Sequence, residues 1–95
     1  MSQPIPATAR PKLARRTRLR FDRHSGKHWL VYPERGLLLS DSAASIAALC
    51  TGSHTLDAIV SELHASANGV SREQLAKDVQ DFLGALCDRA LVELL

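Results

Sequence analysis

The chain of 95 residues is long enough for one domain with a modest core, and its formal net charge at pH 7 is only +2. No segment approaches the roughly 20 consecutive apolar residues that a membrane-spanning helix needs. Residues 1–11 contain three prolines and no apolar run, so no secretory signal is predicted and we expect a cytoplasmic protein. Cys50 and Cys87 fall within predicted helices, which favours reduced, buried thiols over a disulfide.

The charge is distributed unevenly along the chain. Residues 1–35 carry nine basic and two acidic side chains, whereas residues 36–95 carry three basic and eight acidic ones. Such asymmetry is typical of a protein with an anionic partner, or of a basic arm that docks on its own acidic helices. A solvated basic tail is an equally good interpretation.

Residues 1–16 are basic, rich in proline and poor in apolar side chains, which predicts a flexible N-terminal arm. A folded domain over residues 17–95 is expected to follow. It begins with three short runs at 18–22, 28–32 and 37–39, in which the period-2 alternation and the intervening turns predict a small antiparallel sheet. Such a sheet keeps an edge that can accept another strand.

Three helices are predicted after the sheet. Ser40 or Asp41 caps the first, which runs to about Cys50, and Thr55 caps the second, which runs from Leu56 to about Ala65. The third is predicted over residues 72–88, since Ser71 and Gln74 match a capping box and an apolar stripe continues behind them. The fold class is therefore α+β, with a three-stranded antiparallel sheet followed by a three-helix bundle. The core is expected to contain the following apolar residues: Leu19, Phe21, Trp29, Val31, Ile46, Leu49, Ile59, Leu63, Val79, Phe82, Leu83 and Leu86.

No constellation in the chain predicts a metal site, a cofactor or an enzymatic activity. The four histidines lack the spaced cysteine, histidine or acidic partners of a metal site. Cys50 lies in an apolar helix, where a thiolate is disfavoured, and no base stands beside it in the sequence. The chain is therefore expected to be a binding protein.

A nucleic-acid-binding winged helix is the alternative, because strand hairpins and three helices can form one. In such a DNA-binding domain the last helix enters the major groove and needs a basic outer face. Here the third helix carries Arg72 and Lys77 against a larger number of acids, and a net acidic face repels phosphate. The pattern favours peptide capture instead: the short strand Leu37, Leu38, Leu39 offers backbone groups, and the third helix offers a groove wall.

At these residues the chain resembles the PqqD family, the precursor-peptide chaperones of pyrroloquinoline quinone (PQQ) biosynthesis. The resemblance runs from Arg10 to about Leu94. It is carried by these segments in order: R-P-K-L at 10–13, R-L-R-F-D at 18–22, Y-P-E-R at 32–35, L-L-L-S at 37–40, L-C-T-G at 49–52 and H-T-L-D-A-I-V at 54–60.

The resemblance implies a winged-helix-like recognition domain that binds the ribosomal precursor peptide and presents it to a radical-SAM enzyme. The peptide is expected to add to the strand at Leu37–Leu39 and to contact the third helix between Gln74 and Leu86. The domain itself is expected to hold no cofactor.

Helical spacing gives the third helix two edges that could line such a groove. One edge carries Asp78, Phe82 and Ala85, next to Gln74, and the other carries Ala76, Leu83 and Cys87. We favour the first edge, since Asp78 can pair with a basic peptide residue and Phe82 offers aromatic area. Arg18 and Arg20 are expected to meet the partner enzyme or acidic residues of the peptide. The sequence leaves monomer and homodimer open, because a short sheet beside a long apolar helix is prone to exchange elements between protomers.

Overall fold

The computed structural model describes residues 5–66 and 69–95, and these fold into an α+β domain. The elements in chain order are β1 (Pro11–Leu13), β2 (Arg18–Asp22), β3 (Lys27–Tyr32), β4 (Arg35–Leu39), α1 (Asp41–Ala48), α2 (Leu56–Ser66), α3 (Arg72–Asp88) and β5 (Val92–Leu94). The predicted class, an antiparallel sheet with three helices, is confirmed. Within the described residues, every helix is too short or too polar to cross a membrane.

The main sheet has the strand order β2-β3-β4, and both pairs are antiparallel. In the turn between β2 and β3, the carboxylate of Asp22 accepts hydrogen bonds from the His24 N–H and the Ser25 hydroxyl. Only Pro33 and Glu34 separate β3 from β4, so β4 starts at Arg35, two residues before the predicted strand. The longer β4 gives the sheet a longer open edge.

The predicted core face of β3 is wrong. Leu30 is completely buried, with Leu19 and Leu37 directly opposite it on the neighbouring strands. Val31 is 41% exposed on the other face, and Phe21, at the far end of the sheet, is 56% exposed. All four residues from 29 to 32 are apolar, so both faces of this strand carry apolar side chains. The alternation pattern therefore cannot show which face packs on the core.

The helices begin as their capping residues predict. The hydroxyls of Ser40, Thr55 and Ser71 accept hydrogen bonds from the backbone N–H groups of Ala43, Ala58 and Gln74, respectively. The packed faces of the three helices supply most of the core, with these residues almost fully buried: Ala44, Ile46, Ala47, Leu56, Ile59, Val60, Val79, Leu83 and Leu86.

Between Ile5 and Ala14 the N-terminal segment packs against the rest of the domain, within the range over which the sequence predicts a flexible arm (residues 1–16). β1 pairs antiparallel with β5, and the side chains of Ile5 and Pro11 are buried. The carbonyls of Ala7 and Ala9 accept hydrogen bonds from the first N–H groups of α2, at Asp57 and Leu56. The first N–H groups of a helix have no acceptor inside that helix. The arm supplies acceptors for α2, and the composition of residues 1–16 gives no sign of this. Residues 1–4 lie outside the described residues.

Candidate functional site

Within the described residues, no strand pairs with the outer edge of β4. Tyr32 and Arg35 form the bonded pair that closes the two-residue turn, so the alternate pairs Leu30–Leu37 and His28–Leu39 are also bonded to each other. The N–H and C=O groups of the intervening residues, Gly36 and Leu38, therefore point away from β3. Neither residue takes part in any described backbone bond outside the ladders. The edge thus offers donors and acceptors in the spacing that an added strand requires.

The three predicted strand residues divide between the two faces of the sheet. Leu39 is buried and Leu37 is half-buried against the core, so both contribute to folding. The side chain of Leu38 lies on the opposite face and is 48% exposed. The Leu38 backbone can therefore bind a peptide, and the Leu38 side chain is not needed for core packing.

The predicted residues of α3 occupy different environments. The Gln74 amide donates a hydrogen bond of 2.9 Å to the Asp78 carboxylate, and both side chains are exposed. Phe82 is half-buried against the core, and Ala85 is exposed one turn further along. Among the described residues, no hydrogen bond or ion pair joins any of these four to β4. Of the four, only Asp78 lines a cavity between the helices.

An open cavity of about 390 Å³ lies between the three helices, near the point where β4 passes into α1. It has an apolar floor and two carboxylates, and its lining is formed by Asp41, Ser42, Ser45, Ile46, Leu63, Ser66, Val70, Leu75 and Asp78. Of these, only Asp78 was predicted from sequence as a site residue. The rest come from three separate helices and, in the case of Val70, from the segment just before α3, so no local pattern in the sequence identifies them.

His28 stands close to this region at the end of the sheet. Its Nε2 lies 3.9 Å from the Asp41 carboxylate, and its ring lies 4.8 Å from the ring of Phe21. Within the part of the chain that the structure describes, no group of three or more His, Cys, Asp or Glu side chains is placed to hold a metal ion.

Neither thiol is activated for chemistry. Burial raises the pKa of Cys50 to about 12, and its Sγ donates to the carbonyl of Ile46. Burial, with the Asp88 carboxylate as a second cause, also raises the pKa of Cys87. Both thiols are therefore protonated at neutral pH, in which form they are poor nucleophiles.

A mixed basic and apolar surface covers the face of the main sheet that turns away from the helices. Arg18 lies opposite Val31, and Arg20 lies opposite Trp29, which in turn lies opposite Leu38. Arg18 and Arg20 are exposed and form no ion pair with the described residues. We call these five residues the outer sheet face.

The fold and the site together define a small α+β domain that displays an open strand edge beside a cavity between helices. The chain belongs to the PqqD family: the family described as Coenzyme PQQ synthesis protein D (PqqD) matches residues 27–92. The resemblance found in the sequence is thereby confirmed.

Curated relatives carry the name PqqA binding protein. The one from Rhodopseudomonas palustris (strain BisB5) is 32% identical over 88 residues, covering 93% of this chain and 85% of the relative. The one from Rhizobium meliloti (strain 1021) is 34% identical over 83 residues, covering 87% and 84%, respectively.

A solved structure shares the fold over nearly the whole chain. It is the solution NMR structure of the PqqD truncation of Methylobacterium extorquens PqqCD, described as a functional and stand-alone RiPP recognition element. The TM-score is 0.78 at 29% sequence identity, and the alignment covers 94% of each chain.

Proposed function

We propose that this domain binds the PqqA peptide of PQQ synthesis by strand addition along β4 and has no catalytic activity of its own. The observation that carries the proposal is the open edge at Gly36 and Leu38, whose N–H and C=O groups point away from the sheet. A peptide strand would satisfy them, each hydrogen bond contributing about 0.5–1.5 kcal/mol net. The names of the relatives supply the identity of the peptide.

The peptide's side chains would meet α3 along the edge formed by Gln74, Asp78, Phe82 and Ala85. Asp78 already lines a cavity together with the first residues of α1, which follow directly after β4. Phe82 would add apolar area beside it. The domain would thus work as a winged-helix-like recognition unit in which backbone bonds give affinity and the helix edge gives selectivity.

We further propose that the domain presents the bound peptide to a radical-SAM enzyme through the outer sheet face. This face is turned away from the helices, so it stays accessible while a peptide occupies the edge of β4. Its two arginines and its apolar side chains fit a partner surface that is acidic around an apolar centre.

An amide-shift titration of the labelled domain with a synthetic PqqA peptide tests the binding site. Shifts concentrated at residues 36–39 and 78–85 are expected. Shifts confined to residues 10–23, with β4 unchanged, would place the peptide at a different surface and contradict strand addition. Strongly salt-dependent binding to duplex DNA, without binding to the peptide, would favour the nucleic-acid alternative.

Charge reversal tests the presentation surface. The double variant Arg18→Glu/Arg20→Glu is expected to weaken association with the radical-SAM enzyme and to leave peptide affinity unchanged. Arg15→Glu/Arg16→Glu is the matched control, because it changes the net charge equally at two exposed residues that precede the sheet. Equal losses in both variants would show that only overall charge matters.

A further inference from the structure

The composition of the cavity between the helices selects for one kind of side chain. Its floor is aliphatic: Ile46 is buried, and Leu63 and Leu75 are half-buried. Its two ionisable residues, Asp41 and Asp78, are both acids. A volume of about 390 Å³ is near the small end of ligand pockets, which leaves room for one long side chain.

No strong cation within the described part of the chain neutralises the two carboxylates. Asp78 accepts a hydrogen bond from the neutral amide of Gln74, and Asp41 faces the imidazole of His28 at 3.9 Å. Arg72, at the start of α3, is held elsewhere by Asp57 and Ser61, at 2.7 and 2.8 Å. Lys77 precedes Asp78 directly, and adjacent residues of a helix do not face each other. The rim of the cavity therefore carries net negative charge.

The cavity also lies close to the end of β4. Ser40 alone separates the end of β4 at Leu39 from the start of α1 at Asp41. A peptide that pairs along β4 and continues past Leu39 would therefore extend towards Asp41, which lines the cavity, by about 3.3 Å per residue.

We propose that the cavity receives a lysine or arginine side chain of the bound peptide. The aliphatic stem would pack on Ile46, Leu63 and Leu75, and the cationic head would lie between Asp41 and Asp78. Long basic side chains bury their stems in this way while the charge stays hydrated. The inference rests on the proposed function, since it assigns one anchor position of the peptide that adds to β4.

A double-mutant cycle tests the assignment. Each lysine and arginine of a synthetic PqqA peptide is replaced singly by norleucine, which keeps an aliphatic stem and removes the charge. Each peptide is titrated against the wild-type domain and against Asp41→Asn/Asp78→Asn. At one position, norleucine is expected to weaken binding to the wild type about 2- to 10-fold, as for partly exposed ion pairs, and to weaken binding to the double variant less than about 2-fold. Asp81→Asn, on the exposed face of the same helix, is the matched control and is expected to behave as the wild type.

The outcomes separate this inference from the proposed function. If the unmodified peptide shifts β4 but every norleucine peptide loses the same factor against both domains, the cationic anchor is wrong and strand addition stands. The cationic anchor is equally wrong if the double variant binds the unmodified peptide as tightly as the wild type does, since the two carboxylates would then contribute nothing to binding. If the unmodified peptide does not bind at all, the proposed function itself fails.

Discussion

The side-chain amide of Gln80 holds both backbone polar groups of Ile5, which lies 75 residues away in the chain. The Ile5 N–H donates to Gln80 Oε1 at 2.8 Å, and Gln80 Nε2 donates to the Ile5 carbonyl at 2.6 Å. The Ile5 side chain is only 5% exposed, so these groups would otherwise be withdrawn from water without partners. The middle of α3 thus holds the N-terminal segment against the domain at Ile5.

Gln80→Ala should lower the free energy of unfolding by about 1–2 kcal/mol, because it removes two partly buried hydrogen bonds. Chemical denaturation measures this change, and amide hydrogen exchange at residues 5–9 should accelerate more than exchange in the helices. Gln74→Ala is the control on the same helix, since the Gln74 side chain is exposed, and it should change stability by less than about 0.5 kcal/mol. Unchanged exchange at residues 5–9 in Gln80→Ala would show that the amide does not anchor the arm.

Leu38→Pro should abolish PqqA peptide binding and leave the domain folded. The Leu38 N–H points away from β3, so proline removes a donor from the open edge without breaking a bond of the sheet. Calorimetric titration of the peptide, with circular dichroism of the variant alone, measures both properties.

Two controls make the Leu38→Pro result interpretable. Leu38→Ala keeps the N–H and shortens an exposed side chain, so it should weaken binding only moderately. Leu37→Pro removes a donor that bonds to β3 and should destabilise the fold itself. Undiminished binding by a folded Leu38→Pro domain would mean that the peptide does not pair at this residue.

The local features of the fold could be predicted from sequence because they depend on neighbouring residues. The α3 boundaries agree with the prediction, and Thr55 caps α2 as expected, since a cap needs only residues within one turn. The reciprocal half of the predicted capping box did not form: the Gln74 amide bonds Asp78.

The features that the sequence did not reveal depend on distant partners. The sequence leaves a short closing strand as one of two alternatives for residues 90–95, but β1 and β5 have three residues each and pair across about 80 positions, so no local pattern reveals their pairing. The strand edge of the site could be predicted from the order of the strands. The cavity could not, because Ile46, Leu63 and Leu75 resemble ordinary core residues until the helices are packed.

Ala90→Gly should raise the free energy of unfolding by about 0.5–1 kcal/mol. Ala90 follows α3 with a φ of 59°, and the N–H groups of Ala90 and Leu91 bond the carbonyls of Cys87 and Leu86. This pattern is the Schellman motif, in which glycine occupies the left-handed position without a steric penalty. Thermal and urea unfolding measure the gain.

Gly26→Ala is the reverse substitution, since it places alanine where a glycine has a positive φ. Gly26 has a φ of 70°, and an added Cβ would meet nothing within 4 Å, so Gly26→Ala tests the backbone conformation alone. The variant should lose about 1 kcal/mol of stability. A loss on substituting Ala90 by glycine would contradict the assignment of strain to that residue.

The stability of the domain should fall as the pH rises from about 9 towards 12, and Cys50 should account for part of the slope. Burial raises the pKa of Cys50 from an ordinary value of 9.0 to about 12, so above pH 9 the unfolded thiol loses its proton while the folded thiol keeps it. The unfolded state then binds fewer protons, and the stability that is fully present below pH 9 declines with a slope of up to about 1.4 kcal/mol per pH unit. The pKa of Cys87 is also raised by burial, so that residue contributes with the same sign.

Urea unfolding of the reduced domain at several pH values between about 8 and 11 measures this slope. Cys50→Ala lowers stability at every pH by leaving a small cavity, but it should make the decline above pH 9 shallower than in the wild type. All other ionisable side chains are common to both proteins, so the difference between the two slopes reports on the thiol. Parallel slopes for the wild type and Cys50→Ala would show that Cys50 ionises equally in the folded and unfolded states, contrary to its burial.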